Sequence, residues 1–249
     1  MASGHRWNTV GGDFISLLMA EYQSGGAVHW PTVISAAGCL CGEAALMTHE
    51  PRLPEHGAID NKRVTEFIHD GSVKTRTIWG YSAAIATQAF GVGADTLPEY
   101  RNVVLRLGTQ LQPMHYPALD VPLHLVPHET PMNAGPRLRK KIHEIAKEEG
   151  IHGEDSAFAL ATAMMKLIGS AQHLGIGDLT SLALQCCVAG SRFAPLLETC
   201  APHSMGNATL DTPGVSPGAQ TRRHDDEPSI PAAEIVAAAL ADGGFGKRR

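Results

Sequence analysis

The chain has 249 residues, of which 43% are hydrophobic, 18% are charged and only 5% are aromatic, and its formal net charge at pH 7 is −5. This charge balance argues against a general nucleic-acid binder, which normally presents a strongly basic face. With so few aromatic rings, the core must consist of Ala, Leu, Ile, Val and Met, and small side chains bury little area each. Stability must therefore come from many close contacts.

Four stretches of the chain consist almost wholly of small and apolar residues, and the only charged side chains in them are Glu43 and Lys166. Helices that are apolar on every side belong in the interior of a protein. The pattern therefore predicts an all-α fold whose central helices are the four stretches 30–48, 77–94, 157–174 and 179–191.

In chain order, the first three predicted helices follow from apolar periodicity and from residues that begin or cap a helix. Phe14, Leu18 and Tyr22 recur at helical spacing and mark the first helix. Pro31 stands at the tolerated first-turn position of a second helix. Asp60 is placed to cap a short third helix.

The next segment, 73–90, is compatible with two structures. Ser72 can cap a helix over it, but residues 73–81 are rich in Thr and aromatic side chains and could form a strand. Thr96 and Glu99 then match a capping box, and helically spaced apolar residues follow them.

Residues 112–133 differ from the rest of the chain because they contain five prolines. Proline removes a backbone donor and clashes with the preceding turn, so a normal helix cannot form here. We predict a long ordered loop, and such loops inside compact domains are often functional.

Three more helices are predicted beyond this Pro-rich loop. Pro136 opens the first of them, with Arg139 among the side chains that face outward. Glu154 and Asp155 complement the positive start of the next helix. Asp178 is placed to cap the last.

These elements predict a single helical domain of six to eight helices over residues 1–199. Residues 200–249 are rich in Pro, Gly, Ser and Thr and predict a disordered tail with a short terminal helix. The chain has five cysteines, mostly in apolar stretches. Buried reduced thiols are typical of cytoplasmic proteins, so we predict a cytoplasmic protein. We predict no membrane span, because Glu43 lies near the middle of 30–48 and polar residues such as Gln88 lie within 77–94.

The Pro-rich loop carries imidazole, carboxylate and phenol groups that could line a pocket. Imidazoles and a carboxylate can bind Zn or Fe, but the spacing matches no known metal signature. The alternative is that these histidines hydrogen-bond the backbone of the loop itself. The candidate ligand-binding residues are His115, Tyr116, Asp120, His124, His128 and Glu129.

A stripe of small residues, Ser35, Gly38, Gly42 and Ala45, follows one side of the second helix. Such a stripe predicts a tight helix crossing, either in the core or at a subunit boundary. Glu43 lies beside the stripe and could be a buried general acid or base. We favour the alternative that Glu43 pairs with an arginine, such as Arg76 or Arg192.

The one basic cluster is Arg137, Arg139, Lys140 and Lys141. The segment after it, 142–159, resembles the spacing of a helix-turn-helix. However, the second helix would begin with two acidic residues, which repel phosphate, and it lacks side chains that read base edges. A solvated helix face is the default interpretation of such a cluster.

Three hypotheses remain open. The first is a non-enzymatic cytoplasmic protein that self-associates, as a homodimer, through small-residue helix faces. The second is an enzyme or a ligand- or metal-binding protein with a site under the loop 113–133. The third is a nucleic-acid-binding protein that uses the basic helix 137–147. The sequence does not identify a substrate or a cofactor.

Overall fold

The computed structural model describes residues 2–24, 27–50, 59–70, 77–110 and 117–193. The predicted all-α class is confirmed, and the described residues form eight α-helices. A short antiparallel pair, β1 (Gln23–Ser24) and β2 (Ala27–Val28), joins the first two helices. The helices are α1 (Ala2–Tyr22), α2 (Trp30–His49), α3 (Lys62–Ile68), α4 (Ile78–Phe90), α5 (Tyr100–Gln110), α6 (Ala134–Glu148), α7 (Glu154–Ser170) and α8 (Ile176–Gly190).

Some predicted features lie outside the described residues. These are the start of the ambiguous segment, 73–76, the loop residues His115 and Tyr116, and the tail 200–249 with its terminal helix. The described part of the Pro-rich loop, 117–133, contains no α-helix, as predicted, and includes two short 3-10 turns.

α2 is the central helix because its residues are small and apolar on every side. Every residue from Pro31 to Glu43 is buried, as are Ala45 and Leu46. α2 packs mainly against α8 and α7, and α1 and α4 also pack against α7. The four stretches that were predicted to be interior are therefore α2, α4, α7 and α8, and they share one core.

Within the described residues, α2 is also the one helix that is long and apolar enough to cross a membrane. In the structure, 83% of its most apolar window is buried inside the protein. Core helices of soluble proteins meet the same criteria of length and composition, so this is weak evidence for a membrane span.

Glycines allow α2 and α8 to approach each other with their backbones almost in contact. A Cβ atom added at Gly38 would overlap the carbonyl oxygen of Ala183, and one added at Gly190 would overlap that of Cys39. A Cβ atom at Gly42 would lie 2.7 Å from the backbone nitrogen of Ser191. No side chain other than hydrogen fits at these three positions without moving a backbone.

Two helices begin at residues other than the predicted caps. The side chain of Asn61, not that of Asp60, caps α3, and it accepts the backbone N–H groups of Arg63 at 2.8 Å and Val64 at 3.3 Å. Asp60 is one residue too early to reach these groups. At α4, Thr77 accepts the backbone N–H of Gly80 at 3.0 Å, so residues 78–81 are helical rather than extended.

Two further caps were also predicted wrongly. α8 begins at Ile176, directly after Gly175 with its φ of +96°, so that Asp178 lies inside the first turn instead of before it. The Thr96 hydroxyl donates to the carbonyl of Gly93 at 2.7 Å within a 3-10 turn. Thr96 thus belongs to the turn before α5, which begins later, at Tyr100.

The two candidate caps of α3 can be compared directly. We expect Asn61→Ala to lower the free energy of unfolding by about 1 kcal/mol, the usual cost of losing an N-cap. Asp60→Ala should change it by less than about 0.5 kcal/mol, because Asp60 is exposed and its contact with Arg192 is as long as 4.0 Å. Urea unfolding of both variants measures the difference, and equal effects would contradict the assignment of the cap.

Candidate functional site

The Pro-rich loop does not bring all of its predicted polar residues to one place. Asp120 forms an ion pair with Arg106 at 2.7 Å, and its backbone N–H donates to Gln185 at 2.8 Å. His124 is exposed on the 3-10 turn Leu123–Leu125. Neither residue lines the concave site that contains His128 and Glu129, so the predicted single site under the loop is only partly formed.

His128 and Glu129 do line a concave site of about 330 Å³ together with residues of α1, α2 and α6. The His128 ring stacks on that of His29, with 3.4 Å between the ring centroids. The backbone N–H of His128 donates to the hydroxyl of Thr32 at 2.9 Å. The same hydroxyl lies 2.7 Å from Nδ1 of His29.

The other side of this concave site is a cluster that we call the Arg137 clamp, formed by Glu21, Tyr22, Glu129 and Arg137. Arg137 donates to both carboxylate oxygens of Glu129, at 3.1 and 2.5 Å, and lies 3.0 Å from Glu21. It also donates to the Tyr22 hydroxyl at 2.8 Å. Burial and the hydrogen bond to Glu129 raise the pKa of Tyr22. These groups provide one another's hydrogen-bond partners and opposite charges, so the clamp connects α1, the loop and α6.

A second cavity has a different character. It occupies about 260 Å³ between α2, α6 and α7, and we call it the α2–α6–α7 cleft. Its walls are mainly apolar, and its few polar side chains come from all three helices. The cleft is lined by Leu40, Glu43, Ala44, Met47, Thr48, Arg139, Ile142, His143, Ala146, Gly153, Ser156 and Leu160.

An ion pair between Glu43 and Arg139 forms part of the wall of this cleft. The Glu43 side chain is only 8% exposed and that of Arg139 is 22% exposed. Gly135, one helical turn before Arg139, makes room for the pair. A Cβ atom there would lie 2.5 Å from Oε2 of Glu43 and 2.9 Å from Nη2 of Arg139.

The prediction that Glu43 pairs with an arginine is confirmed, but its partner in the described residues is Arg139 and not Arg192. Arg192 lies instead near Asp60, and Arg76 is outside the described residues. Arg139, predicted to face outward from α6, reaches inward to Glu43. A long side chain at the edge of a solvated helix face can extend its charged end toward a buried partner.

A third depression, of about 500 Å³, is wide and polar. His49 lies at its wall, with Nε2 3.5 Å from a carboxylate oxygen of Glu154. Burial lowers the pKa of His49, although Glu154 opposes this effect and Arg63 adds to it. The remaining lining includes charges of both signs, so no single ligand chemistry is favoured.

The small-residue stripe is used inside the chain. Ser35, Gly38, Gly42 and Ala45 are all buried, and the two glycines face the backbone of α8. The sequence allowed the stripe to form either a helix crossing in the core or a subunit boundary. In the structure it forms a helix crossing in the core. A second copy of the chain would have to bind through another surface.

The basic cluster is divided between two environments. Arg137 belongs to the clamp and Arg139 to the ion pair with Glu43, whereas Lys140 and Lys141 are exposed on α6. Because carboxylates neutralise both arginines, this face of α6 offers a polyanion less positive charge than the sequence suggested.

Four of the five cysteines lie where α2 meets α8, and Cys200 is outside the described residues. Cys39, Cys41, Cys186 and Cys187 are buried thiols rather than disulfides, as predicted. Burial raises the pKa of Cys39 well above its usual range, and contact with Cys41 together with burial raises that of Cys187. Such thiols are unreactive. Within the described ranges, no three His, Cys, Asp or Glu residues are grouped as metal ligands.

Comparison of the chain with protein-family models, with curated proteins and with solved structures found no match. The function must therefore be inferred from the cavities themselves. Of the three, the α2–α6–α7 cleft best fits a ligand site, because apolar walls with a few convergent polar groups are typical of such sites. Sequence reasoning missed its residues Gly135, His143 and Ser156; the one available signal was a glycine one turn before an arginine.

Proposed function

We propose that the protein binds a small, mostly apolar ligand that carries one hydrogen-bonding group in the α2–α6–α7 cleft. The observation that supports this proposal is the Glu43–Arg139 ion pair in the wall of an otherwise apolar cavity. Polar contacts are stronger where water is excluded, so such a pair can orient a ligand whose body is held by apolar contacts.

The size of the cleft limits the ligand. A closed apolar cavity of about 150 Å³ holds benzene, and sites for drug-sized molecules begin at about 300 Å³. The cleft, at about 260 Å³, lies between these values. A ligand with one or two rings, or an aliphatic chain of similar bulk, is therefore the expected size class.

The charge of the cleft indicates a neutral ligand. Glu43 and Arg139 cancel each other, and moving an additional uncompensated charge out of water is costly. The carboxylate is also held by the guanidinium of Arg139. We therefore propose binding, not acid–base catalysis, as the role of this pair.

The proposal predicts that 1-naphthol binds to the cleft more tightly than 1-naphthoate or 1-naphthylmethylammonium, which have the same body and opposite charges. For a ligand of this size, we expect a dissociation constant on the order of 100 µM. Ala44→Leu should weaken the binding of 1-naphthol at least tenfold, because Ala44 lines the cleft and a larger side chain would fill it. Isothermal titration calorimetry measures both effects.

The matched control is Ala84→Leu, the same change at a half-buried position on α4 away from the cleft. It should leave binding unchanged. If none of the three probes binds, or if both variants bind 1-naphthol as the unmodified protein does, the cleft is not the ligand site. Tightest binding of a charged probe would contradict the proposed ligand class.

Two further aspects of the function remain proposals. Reduced buried thiols support a cytoplasmic location. The low fraction of charged residues was the reason to predict a homodimer. Since the interior helices account for much of that composition, light scattering of the purified protein is the direct test of self-association.

A further inference from the structure

We propose that His29 and His128 form an acid-sensitive latch, which holds the end of the Pro-rich loop on the start of α2 at neutral pH and releases it in mild acid. The proposal concerns a site separate from the α2–α6–α7 cleft and does not depend on ligand binding there.

The latch consists of a ring stack and a shared hydroxyl. The two imidazole planes are 11° from parallel with their centroids 3.4 Å apart, so their charges would be in direct contact if both rings were protonated. The Thr32 hydroxyl accepts the backbone N–H of His128 and lies 2.7 Å from Nδ1 of His29. It can donate its own proton to Nδ1 only while that nitrogen is unprotonated.

The charges around the latch come from three elements. α1 contributes Glu21 and Tyr22, the loop contributes Glu129, and α6 contributes Arg137. Arg137 binds both carboxylates, so that the surrounding charge is −1 rather than −2 when the tyrosine is neutral. The remaining negative charge favours imidazolium weakly, whereas two stacked imidazolium rings repel each other at close range.

The direction of the pH effect follows from His29. Burial, and then the charge of His128, lower its pKa from the usual value of 6.5. The folded latch therefore prefers the neutral ring more than an opened loop does. The latch is fully stable above pH 6.5, the ordinary pKa of the imidazole. Its stability is lost as the pH falls through 6.5 and then through the lower pKa that His29 has in the closed latch.

The backbone amide of His128 reports on the latch directly, because this N–H donates to Thr32. We expect its hydrogen-exchange protection factor, corrected for the intrinsic rate, to fall three- to tenfold between about pH 7.5 and pH 5.5. Amides in the middle of α2 should keep their protection over the same range.

His128→Phe separates charge from stacking. It keeps an aromatic ring and the backbone N–H but cannot take up a proton, so protection of residue 128 should depend on pH less than in the unmodified protein, and the burial of His29 accounts for the response that remains. The control is His124→Phe, the same change at an exposed histidine of the same loop, which should keep the full response. NMR titration of His29 should also show its pKa closer to 6.5 in His128→Phe, since the second charge is gone.

Three results would overturn the latch. One is a protection factor for His128 that does not change with pH in the unmodified protein. Another is an equal pH response in His128→Phe. The third is parallel loss of protection at residue 128 and throughout α2, which would indicate unfolding of the whole protein instead of local release.

Discussion

Gly42→Ala is expected to lower the free energy of unfolding by at least about 3 kcal/mol. The added Cβ atom would overlap the carbonyl oxygen of Cys187 and lie 2.7 Å from the nitrogen of Ser191. Overpacking against movable side chains typically costs about 1–3 kcal/mol. Here both opposing atoms belong to the backbone of α8, which can move only if the whole helix shifts. The cost should therefore be at or above the upper end of that range.

Gly12→Ala provides the matched control, because a Cβ atom at Gly12 of α1 would have nothing within 4 Å. Alanine is the better helix former, so this variant should be more stable by about 0.5–1 kcal/mol. Guanidinium unfolding followed by circular dichroism measures both variants. If Gly42→Ala were no less stable than Gly12→Ala, the close crossing of α2 and α8 would be wrong.

The α2–α8 crossing also explains the unusual composition of the chain. Four helices with almost no charge would be expected to bury their faces somewhere, and a subunit boundary was one possibility. In the structure, Gly38, Gly42 and Gly190 serve to join two helices of the same chain. Close contact between these backbones replaces the area that large side chains would otherwise bury.

Arg139→Met is expected to destabilise the protein by about 3 kcal/mol, because it leaves the Glu43 carboxylate buried without its partner. The Glu43 side chain is 8% exposed, so water can solvate it little. The double variant Glu43→Leu/Arg139→Met should recover most of the loss, since an apolar pair of similar volume often replaces a buried ion pair without cost.

Lys140→Met tests whether the effect is specific to the pair. Lys140 is adjacent on α6 and exposed, so the same change there should alter stability by less than about 0.5 kcal/mol. Urea unfolding of the single and double variants measures these differences in the free energy of unfolding. A double variant that is as unstable as Arg139→Met would show that the loss comes from altered packing of α6 and not from an unpaired charge.

The same variants bear on the proposed ligand site. The double variant should fold, keep the apolar walls of the cleft and lose its preference for 1-naphthol over naphthalene, because the polar contact is gone. Equal discrimination by the double variant and the unmodified protein would leave the cleft as an apolar cavity in which the ion pair does not contact the ligand.

The sequence by itself determined the local features of this protein. The interior helices follow from composition and from a period of 3.6 residues, which are properties of neighbouring residues. The glycine just past α6 also reflects a local requirement, because Gly150 has a φ of +66°. Caps were less predictable, because Asp60 and Asn61 both suit the position and a shift of one residue decides between them.

Only the tertiary structure decided which side chains meet. The partners in the Glu43–Arg139 pair are separated by 96 positions, as are Thr32 and His128. From the sequence alone, several arginines were possible partners of Glu43. Likewise, all six candidate residues of the loop could have lined one pocket. The packing of α6 on α2 brings Arg139 to Glu43, whereas the anchoring of the loop at separate points keeps Asp120 away from His128. Such contacts depend on how whole helices are placed, which short-range patterns do not encode.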